Sequence, residues 1–249
     1  MDFTLKIYKQ LLTAFQQAGY QFLTFQQFCE GRAGEKFVIL RHDVDLKAGN
    51  SLVTAKIEYE LGIKATYYFR IIPQSNKPHI IREIAKLGHE IGYHYEDLSL
   101  FNGDAEKAIA HFKEQLACFR QYYPVKTICM HGSPGSRIDN RTIWKQYDYR
   151  DFEIIGEPYI DLNFNEIYYL TDTGRSWNGE KYSVRDKVQS TFDCRFQATQ
   201  DIIKAIQTGA IPKKIMIAAH PQRWTDNCLE WTWEFLFQRI KNKIKYFYK

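Results

Sequence analysis

Short apolar runs alternate with longer stretches of helical periodicity along most of this chain. Seven of the short runs predict strands, and most of them end in polar residues. Between them, helices are predicted, for example over 104–122, where apolar residues recur at spacings of three and four. This alternation predicts an α/β fold with parallel strands rather than a β-sandwich. The predicted strands are 37–40, 64–69, 90–93, 127–130, 152–155, 167–170 and 214–219.

The chain of 249 residues is expected to form a single domain. It is long enough to bury a core without disulfides. No internal repeat and no linker rich in Pro, Gly or Ser divides it. Residues 1–36 are interpreted as a helical lead-in and residues 229–249 as a closing helix of the domain that spans 1–249.

Composition excludes several classes of protein. The hydrophobic share of 45% and the charged share of 25% are those of a globular chain and exclude disorder. The five cysteines are odd in number and include no CxxC pair, which favours reduced thiols over a disulfide framework. No signal-peptide pattern is visible after Met1, so we expect a cytoplasmic location.

The net charge of +5 comes from the end of the chain, since residues 239–249 carry five basic side chains and no acid. The remainder is balanced, which is not typical of a protein that binds nucleic acid. We expect an apolar stripe in the closing helix 229–249 to pack on the barrel, with contact to a membrane surface as the alternative. The stripe comprises Leu229, Trp233, Leu236, Ile240, Ile244 and Phe247.

Titratable side chains follow four of the predicted strands. Asp43 and Asp45 follow the first strand, and His94, His131 and His220 end the third, fourth and seventh. Because the carboxyl ends of parallel strands meet at one edge, these side chains are expected to share one site. Carboxylate and imidazole ligands suit zinc or another first-row divalent ion. The alternative is that the paired acids anchor a loop through hydrogen bonds.

Two later segments are rich in residue types that contact sugars. Arg175 and Trp177 follow the sixth predicted strand, and Arg223 and Trp224 follow the seventh. Sugars present hydroxyls to Arg and apolar ring faces to Trp, so these four residues are candidates for substrate binding. The alternative for each tryptophan is that it packs a loop.

Three segments resemble the motifs of carbohydrate esterase family 4, the polysaccharide deacetylases with a NodB homology domain. They are Leu40–Asp45, Gly88–His94 and Ile217–Pro221, and the resemblance covers residues 37–221. It is a resemblance to a divergent subgroup of the family. The family's fold implies a distorted seven-stranded (β/α) barrel that is similar to a TIM barrel.

The resemblance also implies roles for individual residues. On the first motif, Asp43 corresponds to the catalytic base and Asp45 to a metal ligand. On the second and last motifs, His94 corresponds to a metal ligand and His220 to the general acid.

The chain departs from the family at the second metal-binding histidine, whose position is occupied by Leu98. Glu96, Asp97 and His131 are candidates for the third ligand. We favour His131, because the end of a strand aims a side chain inward more reliably than a loop does. The alternative role for His131 is contact with the substrate.

A second departure concerns the arginine that orients the base in the family. The corresponding segment reads His131–Pro134 and contains no arginine, so Arg41 and Arg150 are candidate substitutes.

Together these features predict a metal-dependent hydrolase, with zinc as the expected cofactor, that removes an N-acetyl or similar acyl group from a sugar. The expected partner is a nucleotide-linked, lipid-linked or oligosaccharide substrate of surface polysaccharide or glycoconjugate metabolism. One alternative is a non-catalytic carbohydrate-binding relative on the same barrel. The other is a metal hydrolase that acts on a different amide or ester.

Overall fold

The structure is a computed structural model that describes residues 1–133, 135–177 and 187–247, with the backbone alone for 244–247. Pro134 and the side chains of Ile244 and Phe247, which the sequence interpretation used, lie outside the described part. The strands are β1 Gln21–Leu23, β2 Phe37–Val44, β3 Thr66–Phe69, β4 Glu90–Tyr95, β5 Ile128–Met130, β6 Tyr168–Thr171 and β7 Lys214–Ala219. The helices are α1 Leu5–Gln17, α2 Phe25–Cys29, α3 Ala48–Glu60, α4 Pro78–Lys86, α5 Asp97–Leu100, α6 Ala105–Arg120, α7 Pro158–Asp161, α8 Thr199–Gln207 and α9 Cys228–Phe247.

All strand pairs are parallel, and the sheet has the order β5-β4-β3-β2-β7-β6. Strand β1 pairs with the first half of β2, and β3 pairs with its second half, so both lie along the same edge of β2. Connections through helices α3, α4 and α6 return the chain to parallel strands, as in βαβ units. The sheet curls into a half-barrel, which confirms the predicted α/β class and is compatible with a distorted barrel.

Two predicted elements are wrong. Residues 152–155 do not form a strand: Tyr149–Phe152 is a 3-10 helix, and Glu153 takes a left-handed φ of 58°, which ends any extended run. Within the described ranges, an isolated parallel bridge between Thr127 and Gly156 continues the pairing beside β5. The segment 1–36 is not wholly helical, because it contributes β1 to the sheet.

Alternation along β2 decides which of its side chains enter the half-barrel. Phe37 and Ile39 pack inside it with residues of other strands, whereas Val38 and Leu40 pack against the surrounding helices. The same period of two continues to Asp43, which therefore faces the inside. Residue His42 faces outward and pairs with Glu58 of α3 at 2.7 Å.

In the described part of the chain, no helix combines the length and the apolar character needed to cross a membrane.

Candidate active site

The ends of β2, β4, β5 and β7 open into a cavity of about 840 Å³. The five residues predicted to carry the chemistry all line it, namely Asp43, Asp45, His94, His131 and His220. The sheet brings them together because parallel strands present their carboxyl ends at one edge.

Asp45 lies at the centre of this group. Its Oδ1 is 3.6 Å from Nε2 of His94 and 3.6 Å from Nε2 of His131. Its Oδ2 is 3.8 Å from Nε2 of His220. Oδ1 is buried and has no hydrogen-bond partner among the residues that the structure describes, an arrangement that is costly unless another group satisfies the oxygen.

The three imidazoles are held so that their Nε2 atoms face Asp45. Nδ1 of His94 lies 2.9 Å from the Cys129 carbonyl oxygen, and Nδ1 of His131 lies 2.9 Å from Glu96 Oε2. Nδ1 of His220 lies 2.6 Å from Asp172 Oδ1. With a proton on Nδ1, Nε2 of His94 and Nε2 of His131 each offer a lone pair to the cavity. A second hydrogen bond of this kind is typical of histidines that bind metals.

Asp45, His94 and His131 therefore fit a divalent ion, because they offer one carboxylate and two imidazole nitrogens around an unsatisfied buried oxygen. Ligand atoms of Asp43, His94 and Cys129 also lie within 4.8 Å of one another. We favour the first set, because both carboxylate oxygens of Asp43 already accept hydrogen bonds from an arginine.

The charges of the site suit metal binding at neutral pH. Burial raises the pKa of Asp45, but the neighbouring histidines outweigh it and lower the pKa to about 2. Burial lowers the pKa of His94 to about 4, despite the opposing effect of Asp43. At neutral pH, Asp45 is therefore ionised and His94 is neutral, which are the forms that coordinate metals.

Arg41 orients Asp43. Its Nε donates to Asp43 Oδ1 at 2.8 Å and its Nη2 donates to Oδ2 at 2.6 Å, while both side chains are buried. Burial raises the pKa of Asp43, but Arg41 and then His94 lower it well below its usual range. Of the two candidate arginines, Arg41 occupies the orienting position, since Arg150 is exposed and pairs with Asp148 and Asp161.

The structure also distinguishes the candidates for the third ligand. Leu98 is buried in the core, and Asp97 accepts hydrogen bonds from Tyr93 while pairing with His111. Glu96 forms a bidentate pair with Arg70. The same Glu96 holds Nδ1 of His131. His131 is thus the residue that reaches Asp45, and Glu96 positions it.

Asp172 is a site residue that the sequence analysis did not single out. It holds Nδ1 of His220, and its carboxylate also accepts hydrogen bonds from Nη1 of Arg223 at 2.6 Å and Nε1 of Trp224 at 2.8 Å. Burial raises the pKa of Asp172, but Arg223 and His220 lower it, so the carboxylate stays ionised. The sequence feature that could have identified Asp172 is its position directly after β6, the strand that pairs with the one carrying His220.

Of the four residues predicted to bind sugar, Arg223 alone lines the cavity. Trp224 is buried against Tyr8 and Phe3, and Trp177 is buried with its Nε1 donating to Thr199. The expectation that the tryptophans present ring faces to a sugar is therefore corrected, because packing contacts occupy both rings.

Arg175 also lies away from the cavity lining. It donates from Nη1 to the Trp231 carbonyl at 3.0 Å and stacks on the Trp231 ring at 4.3 Å. These contacts hold α9, and the contact of Arg175 with substrate stays a prediction.

No family model matches the sequence, and no curated protein matches it. Among solved structures, a carbohydrate esterase family 4 (CE4) pseudoenzyme from Bacillus anthracis has a TM-score of 0.48 at 14% identity, covering 85% of this chain and 62% of that chain. A mutant of it with restored enzymatic activity has a TM-score of 0.48 at 13% identity, covering 85% and 64%. This chain thus spans less than two thirds of either.

A third similar structure is the CE4 domain of a multidomain xylanase from the hindgut metagenome of Trinervitermes trinervoides. Its TM-score is 0.44 at 16% identity, covering 84% of this chain and 85% of that chain. The family of these three proteins is the one that the sequence motifs resemble.

Glu96→Gln is expected to weaken metal binding about 10- to 100-fold, because the neutral amide holds His131 less firmly. Burial raises the pKa of Glu96, but hydrogen bonding to His131 and the charge of Arg70 lower it to about 2, so the wild-type group is a carboxylate. Calorimetric titration with zinc or cobalt measures the change. The matched control is Glu83→Gln, an exposed carboxylate on α4. Equal affinity of both variants would show that Glu96 does not position a ligand.

Proposed function

We propose that this chain is a divergent polysaccharide deacetylase: a metal-dependent hydrolase that removes an N-acetyl group from a sugar. The observation that carries the proposal is the unsatisfied, buried Oδ1 of Asp45, which lies 3.6 Å from Nε2 of both His94 and His131. The motif resemblance around Asp43, Asp45, His94 and His220 supports the same assignment.

In this proposal Asp45, His94 and His131 hold a divalent ion, with zinc as the expected metal. When bound, such an ion polarises an acyl oxygen and lowers the pKa of water towards about 7, which offsets the weak basicity of Asp43. Leu98 stands where the family has a second metal-binding histidine, but this does not favour a non-catalytic relative, because His131 lies beside Asp45 and can supply the ligand.

The chain's own residues perform the proton transfers. Asp43, fixed by Arg41, accepts a proton from the water that attacks the acyl carbon. His220, whose Nδ1 is held by Asp172, donates a proton from Nε2 to the amine as the carbon–nitrogen bond breaks. The products are a carboxylate and the free amino sugar, so one water is consumed for each amide cleaved.

The cavity volume of about 840 Å³ lies within the usual range of about 300–1,000 Å³ for small-ligand sites. It is large enough for a sugar unit and part of a carrier or a neighbouring residue. We propose a nucleotide-linked, lipid-linked or oligosaccharide substrate of glycoconjugate metabolism, processed in the cytoplasm.

The test measures metal content by mass spectrometry and acetate release from N-acetylated sugars of these three kinds. Wild type is expected to hold close to one divalent ion per chain, with loss in Asp45→Asn, His94→Ala and His131→Ala. The matched control is His79→Ala, which removes an exposed histidine at the start of α4.

A wild-type chain that takes up no zinc, cobalt or nickel would overturn the proposal in favour of a carbohydrate-binding relative. Metal uptake with hydrolysis of a different amide or ester would keep the metal centre and replace the proposed substrate.

A further inference from the structure

Helix α9 is fixed to the body of the protein along one side. Nε1 of Trp231 donates to the Asp2 carbonyl at 2.7 Å, and Nδ2 of Asn242 donates to the Gly174 carbonyl at 2.8 Å. Arg175 adds the hydrogen bond and the stacking contact to Trp231 described above. Contacts in both the first and the second half of α9 therefore hold the helix, and the orientation of its opposite face relative to the protein is fixed.

That other side is an exposed apolar stripe. Leu229, Trp233, Leu236 and Ile240 are 83%, 67%, 51% and 57% exposed. Their spacings of four, three and four place them on one face of the helix. The expectation that this stripe packs on the barrel is therefore wrong for these four residues. Exposed apolar clusters of this kind mark interaction surfaces.

Basic side chains border the stripe. Arg239 and Lys243 are exposed, Lys241 is partly exposed, and no acidic residue follows Glu234 in the chain. Glu234 itself is buried against the protein. Within the described residues, none of these three basic groups forms an ion pair. The surface thus combines an apolar centre with an unneutralised positive border.

We propose that α9 docks the protein on an anionic lipid bilayer, with Leu229, Trp233, Leu236 and Ile240 inserted at the interface and Arg239 and Lys243 on the lipid phosphates. An exposed tryptophan on an amphipathic helix with basic flanks is the residue pattern of interfacial binding. The competing occupant is a second copy of this chain, paired through the same face, and the oligomeric state in solution distinguishes it from a bilayer.

The helix that carries this face also lines the cavity. Glu234, Gln238 and Lys241 of the same helix line the cavity that contains Asp45. One helix thus contributes both to the cavity wall and to the proposed lipid-binding surface. Docking itself does not depend on the proposed deacetylation.

The experiment sediments the full chain with vesicles of phosphatidylcholine and with vesicles that also contain phosphatidylglycerol. We expect binding at least about tenfold tighter to the anionic vesicles, weakening as salt is raised. The double variant Trp233→Ser, Leu236→Ser is expected to lose at least about tenfold in binding, because it removes the central apolar contacts. The control is Val53→Ser, Tyr59→Ser, which removes exposed apolar side chains of α3.

Arg239→Glu, Lys243→Glu tests the basic border and is expected to abolish the preference for anionic vesicles. Size-exclusion chromatography with light scattering runs alongside. Absence of vesicle binding overturns the proposal, and dimers that dissociate in the Trp233→Ser, Leu236→Ser variant would assign the stripe to a second copy instead. Equal binding to neutral and anionic vesicles also overturns it. Metal content and acetate release test the proposed function and do not depend on vesicle binding. Failure of the docking proposal can therefore be distinguished from failure of the proposed function.

Discussion

Asp43→Asn is expected to lower kcat for deacetylation about 10²- to 10⁴-fold, the usual contribution of a positioned general base. An amide of the same shape cannot accept the proton from water, although it can still accept a hydrogen bond from Arg41. Acetate release under saturating sugar measures the change. Activity close to wild type would remove Asp43 from the reaction.

Metal content of the same variant distinguishes two interpretations of the site. If Asp45, His94 and His131 hold the ion, Asp43→Asn keeps it and loses activity alone. If the ion instead sits between Asp43, His94 and Cys129, the variant loses metal and activity together. The matched control is Asp148→Asn, an exposed carboxylate that pairs with Arg150 outside the cavity.

Arg41→Met is expected to lower the free energy of unfolding by about 3–5 kcal/mol, because it leaves the buried carboxylate of Asp43 without its partner. Arg41 and Asp43 are both buried, and Arg41 also donates to the Tyr159 hydroxyl at 3.0 Å. Urea unfolding of the metal-free protein at neutral pH measures the loss. A loss below about 1 kcal/mol, the value of an exposed pair, would contradict the prediction.

The pH dependence gives an independent check. In wild type the depressed pKa of Asp43 contributes stability above the unfolded pKa of about 3.9, and this stability is lost as the pH falls towards the folded pKa. Without Arg41, burial raises the pKa of Asp43, so protonation relieves the unpaired charge. The difference in free energy of unfolding between wild type and Arg41→Met should therefore become smaller at acid pH. The double variant Arg41→Met, Asp43→Leu removes both charges and should recover most of the stability.

Strand ends were the most informative part of the sequence. A buried run followed at once by a carboxylate or a histidine identified Asp43, Asp45, His94 and His220, because parallel strands converge at one edge whatever the details of the sheet. The same reasoning selected His131 over Glu96. The structure places all five in one cavity, and the α/β class is confirmed.

The errors have local causes that the sequence pattern does not reveal. The apolar run Phe152–Ile155 looks like a strand, but a left-handed residue within it prevents extension. Trp177 and Trp224 stand near polar strand ends, yet tertiary packing against α1 and the N-terminal residues buries both. Asp172 was not singled out, because its pairing with His220 depends on β6 lying beside β7, which the order of elements along the chain does not show.

The positions of Arg41 and Asp43 in the site depend on the register in which strand β2 pairs with its neighbours. Its residues pair with β7 on one edge and with β1 and β3 on the other, and Arg41 and Asp43 enter the half-barrel only in this register. A slip by one residue would turn both outward and place His42 inside. A chain misfolded in this way would have no activity rather than weak activity. The specific activity after refolding would therefore be proportional to the fraction of molecules in which β2 has the correct register.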